Sequence, residues 1–221
     1  GGSAVADIVA DYGADITAPA DPQREGHTFA GWYAGGSREE GGVKTTVPSK
    51  MPLDGMSLIA AWDVNSYMVT FYEGKDSAKI LQQTNNKFGA PISAPAATME
   101  GYTLDKWVDA ETGIAYTSEE IAELVTPAKA VNFYATWTLN SNTVNFRANN
   151  GAYADGSNNK AITVEYGKAV VAPEIPTRAG YTFIGWMDNA TRVVYAVGET
   201  LPVMIDNRVD YLAQWQQETY T

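Results

Sequence analysis

Apolar and polar positions alternate strictly in three stretches of the chain. Val209, Tyr211, Ala213 and Trp215 fall on one side, with Asp210, Leu212 and Gln214 on the other; Val131, Phe133, Ala135, Trp137 and Met56, Leu58, Ala60, Trp62 repeat the pattern. A period of two is that of a half-buried strand. The recurring small residue, Ala60, Ala135 and Ala213, predicts a close approach by another element, namely the side chain of a tryptophan upstream. That tryptophan closes a second phrase, roughly 30 residues earlier in each case. Its three versions are Gly26-His27-Thr28-Phe29-Ala30-Gly31-Trp32, Gly101-Tyr102-Thr103-Leu104-Asp105-Lys106-Trp107 and Gly180-Tyr181-Thr182-Phe183-Ile184-Gly185-Trp186. The two phrases together hold all 6 tryptophans. The chain is therefore read as three copies of one strand-rich unit of roughly 75 residues, spanning 4–64, 65–139 and 140–216.

The remaining pattern fills in each unit. Met68-Val69-Thr70-Phe71 and Thr143-Val144-Asn145-Phe146 predict an opening strand in the second and third units. The first unit has no counterpart and starts at Val5 to Gly13, which aligns with Ile162 to Gly167; either that strand lies outside this chain or the unit is shorter there. A connection with Pro19, Pro22, Arg24 and Gly26, matched by Pro173, Pro176, Arg178 and Gly180, predicts a shaped, irregular crossing into the next strand. The second unit keeps only Gly101 of this set. Thr117 as N-cap, Glu120 three residues on, and Ile121 with Leu124 ahead of Pro127 predict one or two helical turns in the second unit. The equivalent stretches 43–51 and 197–204 each contain a proline and predict turns instead. Asp63 to Ser66 and Thr138 to Ser141 join the units, and four residues reach at most about 14 Å. Three units in line would have a radius of gyration of about 27 Å, against about 17 Å for one compact domain of this length.

Composition narrows the class. Units this small expose much of their surface and usually lean on disulfides, metals or aromatic residues. There is no cysteine, and aromatic residues make up 11% of the chain, so the aromatic residues must supply the core. With 26 acidic against 15 basic residues the formal net charge is -11, which disfavours nucleic acid and anionic membrane surfaces as partners. No stretch approaches the apolar length of a membrane-spanning helix, and Gly1-Gly2-Ser3 reads as an appended leader on a piece of a longer protein.

Candidate chemistry is sparse. Tryptophans repeated at one position inside alternating strands are read as core rather than as sugar-stacking platforms. Ligand contacts are expected instead from residues that differ between units, such as Tyr116, Tyr153 and Met187. His27 is the single histidine and has no nucleophile or metal-ligand pattern beside it; it is read as standing in for a tyrosine. Asp155-Gly156-Ser157-Asn158-Asn159 spaces oxygen ligands as part of a calcium loop does, but without a closing glutamate it is read as a polar hairpin loop. Glu39-Glu40 and Glu119-Glu120 are read as solvated turn and helix-start acids. No catalytic, cofactor-binding or metal residue is assigned, the ligand-binding residues are left open, and no enzymatic activity is expected.

The order Val-x-Phe, Tyr-Gly, Pro-x-Arg-x-Gly-Tyr-Thr-Phe-x-Gly-Trp, Tyr-x-Ala-x-Trp resembles the Listeria-Bacteroides repeat, the B repeat of internalin-type surface proteins. The third unit carries it most fully, in Val144, Phe146, Tyr166, Gly167, Pro176, Arg178, Gly180 to Phe183, Gly185, Trp186, Tyr211, Ala213 and Trp215. The second departs at Leu104 and Lys106, and the first has His27 for tyrosine. The resemblance implies mainly β, small β-grasp-like units in an extended tandem array, an extracellular cell-surface or cell-wall location, and a stalk or adhesive role in a long bacterial protein. It implies no catalytic residues and no cofactor. Its partners would be neighbouring domains, with a host protein or glycan as the alternative role of a binding module.

Overall fold

The computed structural model describes residues 2–205 and 210–219, so that Gly1 and the predicted strand position Val209 lie outside the described residues. The first repeat has three strands, β1 (His27–Ala34), β2 (Val43–Thr45) and β3 (Leu58–Val64). The second has β4 (Ser66–Tyr72), β5 (Ile80–Lys87), β6 (Tyr102–Asp109), β7 (Ala115–Tyr116), the helix α1 (Ser118–Ala122) and β8 (Val131–Leu139). The third has β9 (Ser141–Arg147), β10 (Asn159–Glu165), β11 (Tyr181–Asp188), β12 (Val194–Ala196) and β13 (Asp210–Gln217). By contact density the chain forms two compact units, residues 1–97 with 106–136 and residues 98–105 with 137–221.

Three sheets follow the three repeats. The orders are β2-β1-β3, β5-β4-β8-β6-β7 and β10-β9-β13-β11-β12. Counted within a repeat, the five-stranded sheets read 2-1-5-3-4, with the opening and closing strands side by side and parallel: Phe71 faces Phe133 and Phe146 faces Tyr211. This is the β-grasp arrangement the repeat implied. The central pair is buried on one face, and Val69, Phe71, Phe133, Val144, Phe146 and Tyr211 are each at most 1% exposed.

The glycine-rich phrase forms its strand with a β-bulge. Phe183 pairs with Trp215 and Gly185 with Gln214, so Ile184 is the extra residue; Ala30 is its equivalent, with Phe29 opposite Trp62 and Gly31 opposite Ala61. In a regular strand residues three apart point to opposite faces. The bulge re-aims one of them, and Phe183 and Trp186 meet edge to face at 5.1 Å, as Phe29 and Trp32 do at 5.3 Å. Gly185 has φ +149°, and a Cβ there would lie 2.1 Å from the Tyr195 carbonyl oxygen. The second repeat carries Lys106 instead, and there the Thr136 hydroxyl accepts from Lys106 N and donates to Lys106 O, both at 3.2 Å. Ala213 pairs directly with Trp186 and Ala60 with Trp32, the close approach that the small residue predicted.

The helix forms where its cap is spelled out. Thr117 N donates to Glu120 Oε2 at 2.7 Å, Glu120 N donates to Thr117 Oγ1 at 3.1 Å, and Ile121 is fully buried. In the third repeat Ala196 N donates to Glu199 Oε2 at 2.7 Å, but alanine returns no cap and Pro202 follows, so turns replace the helix. The junctions are shorter than the four residues expected. Strand pairing runs through them, leaving only Asn65 between β3 and β4 and Asn140 between β8 and β9.

Candidate functional site

Aromatic clusters hold Trp32 and Trp62 in the first repeat, Trp107 in the second, and Trp186 and Trp215 in the third. Trp107 is 0% and Trp186 5% exposed. Trp107 meets Phe71 edge to face at 4.9 Å, and Trp186 meets Phe146 at 5.0 Å. The closing tryptophans, Trp62, Trp137 and Trp215, are only half-buried, so the core reading holds in full for Trp107 and Trp186 and in part for the others. Trp215 Nε1 donates to the carbonyls of Ala148 and Asn149, and its ring lies where a Cβ on Gly151 would be. Trp62 stands against Gly2 in the same way, while Ser3 N donates to the Gln23 carbonyl as Ala152 N does to that of Thr177. Gly2 and Ser3 thus pack against the first repeat.

The residues singled out as ligand contacts lie on separate segments of the chain. Tyr153 is 3% exposed and its hydroxyl donates to the Phe146 carbonyl at 2.9 Å; burial pushes its pKa up to about 12. It is a core residue, missed because a single polar-tipped aromatic in a loop has no periodicity to mark it as inward. Tyr116 packs edge to face on Phe133 at 6.3 Å, and Met187 is half-buried on β11. His27 Nδ1 lies 2.7 Å from the Glu25 carbonyl oxygen, and its ring meets Phe88 at 5.7 Å.

The charged candidates hold turns. Asp155 lies in the connection between β9 and β10, accepts from the Lys160 ammonium and from Ser157, and is held well below the usual carboxylate range by those bonds. Among the described residues no group of three histidine, cysteine or acidic side chains is placed to hold a metal ion. Glu40 and Glu120 accept from the backbone N–H of Ser37 and Thr117, which lowers both carboxyls. Arg38 pairs with Asp63 at 2.7 Å and with Glu39 at 3.3 Å.

A further set of residues recurs at the joints. Inside the first compact unit, Thr28 Oγ1 donates to Asn65 Oδ1 at 2.7 Å, Asn65 N donates to the Gly26 carbonyl, and Phe88 N donates to the Asn65 carbonyl. The Phe88 ring lies over Gly26, 2.1 Å from where a Cβ would be. Inside the second unit Thr103, Asn140, Gly101 and Tyr166 make the same four contacts. In the third repeat Glu218 replaces asparagine, accepting from Thr182 Oγ1 at 3.3 Å and donating to the Gly180 carbonyl. The Thr and Gly positions were visible in the repeated phrase; their partners were not, because asparagine in a short junction reads only as a turn residue.

Two apolar clefts adjoin the bulge tryptophans: about 380 Å³ beside Trp32 and about 360 Å³ beside Trp186. Comparison with known proteins places these features in context. The Listeria-Bacteroides repeat domain model matches three times, over residues 1–60, 67–136 and 143–210. A protein of Evansella cellulosilytica named as a Gly-rich membrane protein is 29% identical over the whole chain, which covers 24% of that relative. A second membrane protein of the same organism is 30% identical over 84% of the chain and 27% of its own length. Internalin H of Listeria monocytogenes is 38% identical over 65% of the chain and 26% of its own length. The chain thus spans about a quarter of the length of these relatives.

Proposed function

Since the chain belongs to the Listeria-Bacteroides repeat domain family, we propose that it is a non-catalytic repeat segment of a large bacterial cell-surface protein, serving as a stalk that presents an adhesive region outside the cell. The observation that carries this reading is where the repeated residues are used. Thr28, Asn65, Gly26 and Phe88, and again Thr103, Asn140, Gly101 and Tyr166, tie one repeat to the next. Repetition of a joint is what a spacer needs, whereas a binding module needs a diversified surface. Its partners are then the neighbouring domains of the longer protein.

A second reading, a glycan- or host-protein-binding module, is favoured by the apolar clefts at Trp32 and Trp186, since pockets of that size lined by aromatic rings suit small ligands. Glycan arrays probed with this chain separate the two. Absence of saturable binding, with reduced surface display of the adjoining region when one repeat is deleted from the full-length protein, is the expected result. Saturable binding at millimolar or lower concentration would replace the spacer reading with the binding one.

A further inference from the structure

The cleft beside Trp186 lies where the third repeat departs from the second. In the second repeat Trp107 Nε1 donates to Ser118 Oγ at 3.2 Å, an acceptor supplied by α1. The third repeat has turns in place of that helix, and Trp186 Nε1 has no acceptor among the described residues, although the side chain is only 5% exposed. An indole N–H shut off from both water and protein acceptors is costly. Among the described residues the one side-chain nitrogen or oxygen that is sealed and unpartnered is Asn159 Oδ1, so the Trp186 N–H opens to the cleft that Trp186 lines.

The walls set the chemistry of a ligand. The cleft runs between residues 169–175 and residues 195–201, over Phe183 and Trp186. Val170 and Leu201 are buried against it, and Val171 and Val197 stand more than half exposed at its rim. Glu199 is the sole charged side chain among the described lining residues. Its Oε2 accepts from Ala196 N at 2.7 Å, which holds the carboxylate at the end of β12. An anion would find no counter-charge here, on a chain whose formal net charge is -11. A metal ion would give up its hydration to aliphatic walls with one carboxylate in return. An alkylated ammonium differs, since its methyl groups pack on aliphatic surface while a carboxylate and the rings of Tyr195 and Phe183 attract its charge.

We propose that this cleft is a binding site for a small organic cation, an alkylated ammonium that carries an oxygen acceptor a few atoms away. Its positive end lies against Glu199 and Tyr195, its oxygen accepts from Trp186 Nε1, and its alkyl groups fill the space between. At about 360 Å³ the cleft is near the lower end of the range for small-ligand pockets, about 300–1,000 Å³. The site is separate from the spacer role, because no residue of the joints at Asn140 and Glu218 lines it. Its failure would therefore leave the reading of the joints as it stands.

The test uses the full chain labelled with nitrogen-15, in which the 6 tryptophan indole N–H signals are followed by NMR. The probe is acetylcholine, a quaternary ammonium with an ester carbonyl. Two further probes isolate its ends: 3,3-dimethylbutyl acetate has carbon in place of the charged nitrogen, and tetramethylammonium has no acceptor. Acetylcholine should move the Trp186 signal saturably at concentrations up to about 50 mM. The neutral ester should bind at least about fivefold more weakly, and Glu199→Gln should weaken acetylcholine by a similar factor. Glutamine can still accept from Ala196 N, so the turn is kept. Tetramethylammonium should move the Trp186 signal much less at saturation. No movement of that signal by acetylcholine, or a common movement of several indole signals, would overturn the proposal. Equal affinity for the neutral ester, or an unaffected Glu199→Gln chain, would overturn it by making the cleft a pocket without charge preference. Equal movement by tetramethylammonium would overturn it by removing the acceptor from the ligand.

Discussion

Replacing Trp186 with alanine should unfold the third repeat, while the same change at Trp32 should leave the first repeat folded. Trp186 is 5% exposed and touches Phe146 and Phe183 at ring distances of 5.0 and 5.1 Å. An indole buries about 150–250 Å², and at about 25 cal/mol per Å² that is roughly 4–6 kcal/mol as an upper bound. Buried tryptophan to alanine costs about 3–5 kcal/mol in practice, comparable with the ~3–5 kcal/mol that a core of this size supplies. Trp32 is half-buried and meets Phe29 but, among the described residues, no second phenylalanine, so about half the area, or ~2 kcal/mol, is at stake. Because three repeats need not melt together, segment-resolved hydrogen exchange is the suitable assay. Trp186→Ala should speed exchange across β9 to β13 by at least about a hundredfold, since each ~1.4 kcal/mol is a factor of ten, with β4 and β5 unchanged. Protection of β9 to β13 within tenfold of the parent, or an equal loss from Trp32→Ala in its own repeat, would refute the argument that these phenylalanine contacts set the difference.

Thr117→Ala should cost about 1 kcal/mol by removing one half of the capping box, read as faster exchange over α1 with β9 to β13 unaffected. Glu120 and Glu40 have folded pKa values lowered by the N–H groups they cap; their contribution is present above the ordinary carboxylate pKa and fades as pH falls through the lowered values, so α1 should fray on acidification and Glu120→Gln should blunt that response. Burial pushes Tyr153 and Tyr211 up to about 12, with Asp188 adding to the effect at Tyr211. The neutral form is favoured in the folded state, so that stability is intact below pH of about 10 and lost as pH rises through 12; ultraviolet titration of Tyr153→Phe should lack one late-ionising phenol. Gly26→Ala and Gly101→Ala should each destabilise their joint more than Gly180→Ala does its own turn. All three have φ near +70°, but only the first two meet a ring, Phe88 or Tyr166, where the new methyl would go. Equal thermal shifts for the three would remove the aromatic seat from the account of the joint.

Much of the architecture was legible because a strand's period is local. The alternation through Tyr211, Ala213 and Trp215, the helix start at Thr117 with Glu120, and the opening strands at Val69–Phe71 and Val144–Phe146 all express backbone geometry that neighbouring residues share. The missing strand of the first repeat was legible too, by comparing copies. Parallel pairing of β4 with β8 and of β9 with β13 was not, because it joins segments more than 60 residues apart and depends on which apolar faces can be buried together. The joint was hidden for the same reason: Thr28, Gly26, Asn65 and Phe88 become one device only when the chain returns to them.

The sequence by itself determined the number of repeats, their strands, the absence of disulfides and the family resemblance, since these depend on residue type at fixed spacing. The tertiary structure alone decided which aromatic residues are sealed. Tyr153 looked like a surface contact and is buried, because its hydroxyl finds the Phe146 carbonyl. Trp32 carries the same phrase as Trp186 and is left half-open, because burial requires a partner phenylalanine from a strand that the first repeat does not place beside it. A residue's own chemistry sets what it could bury, and only the packing of distant segments against it determines how much it does.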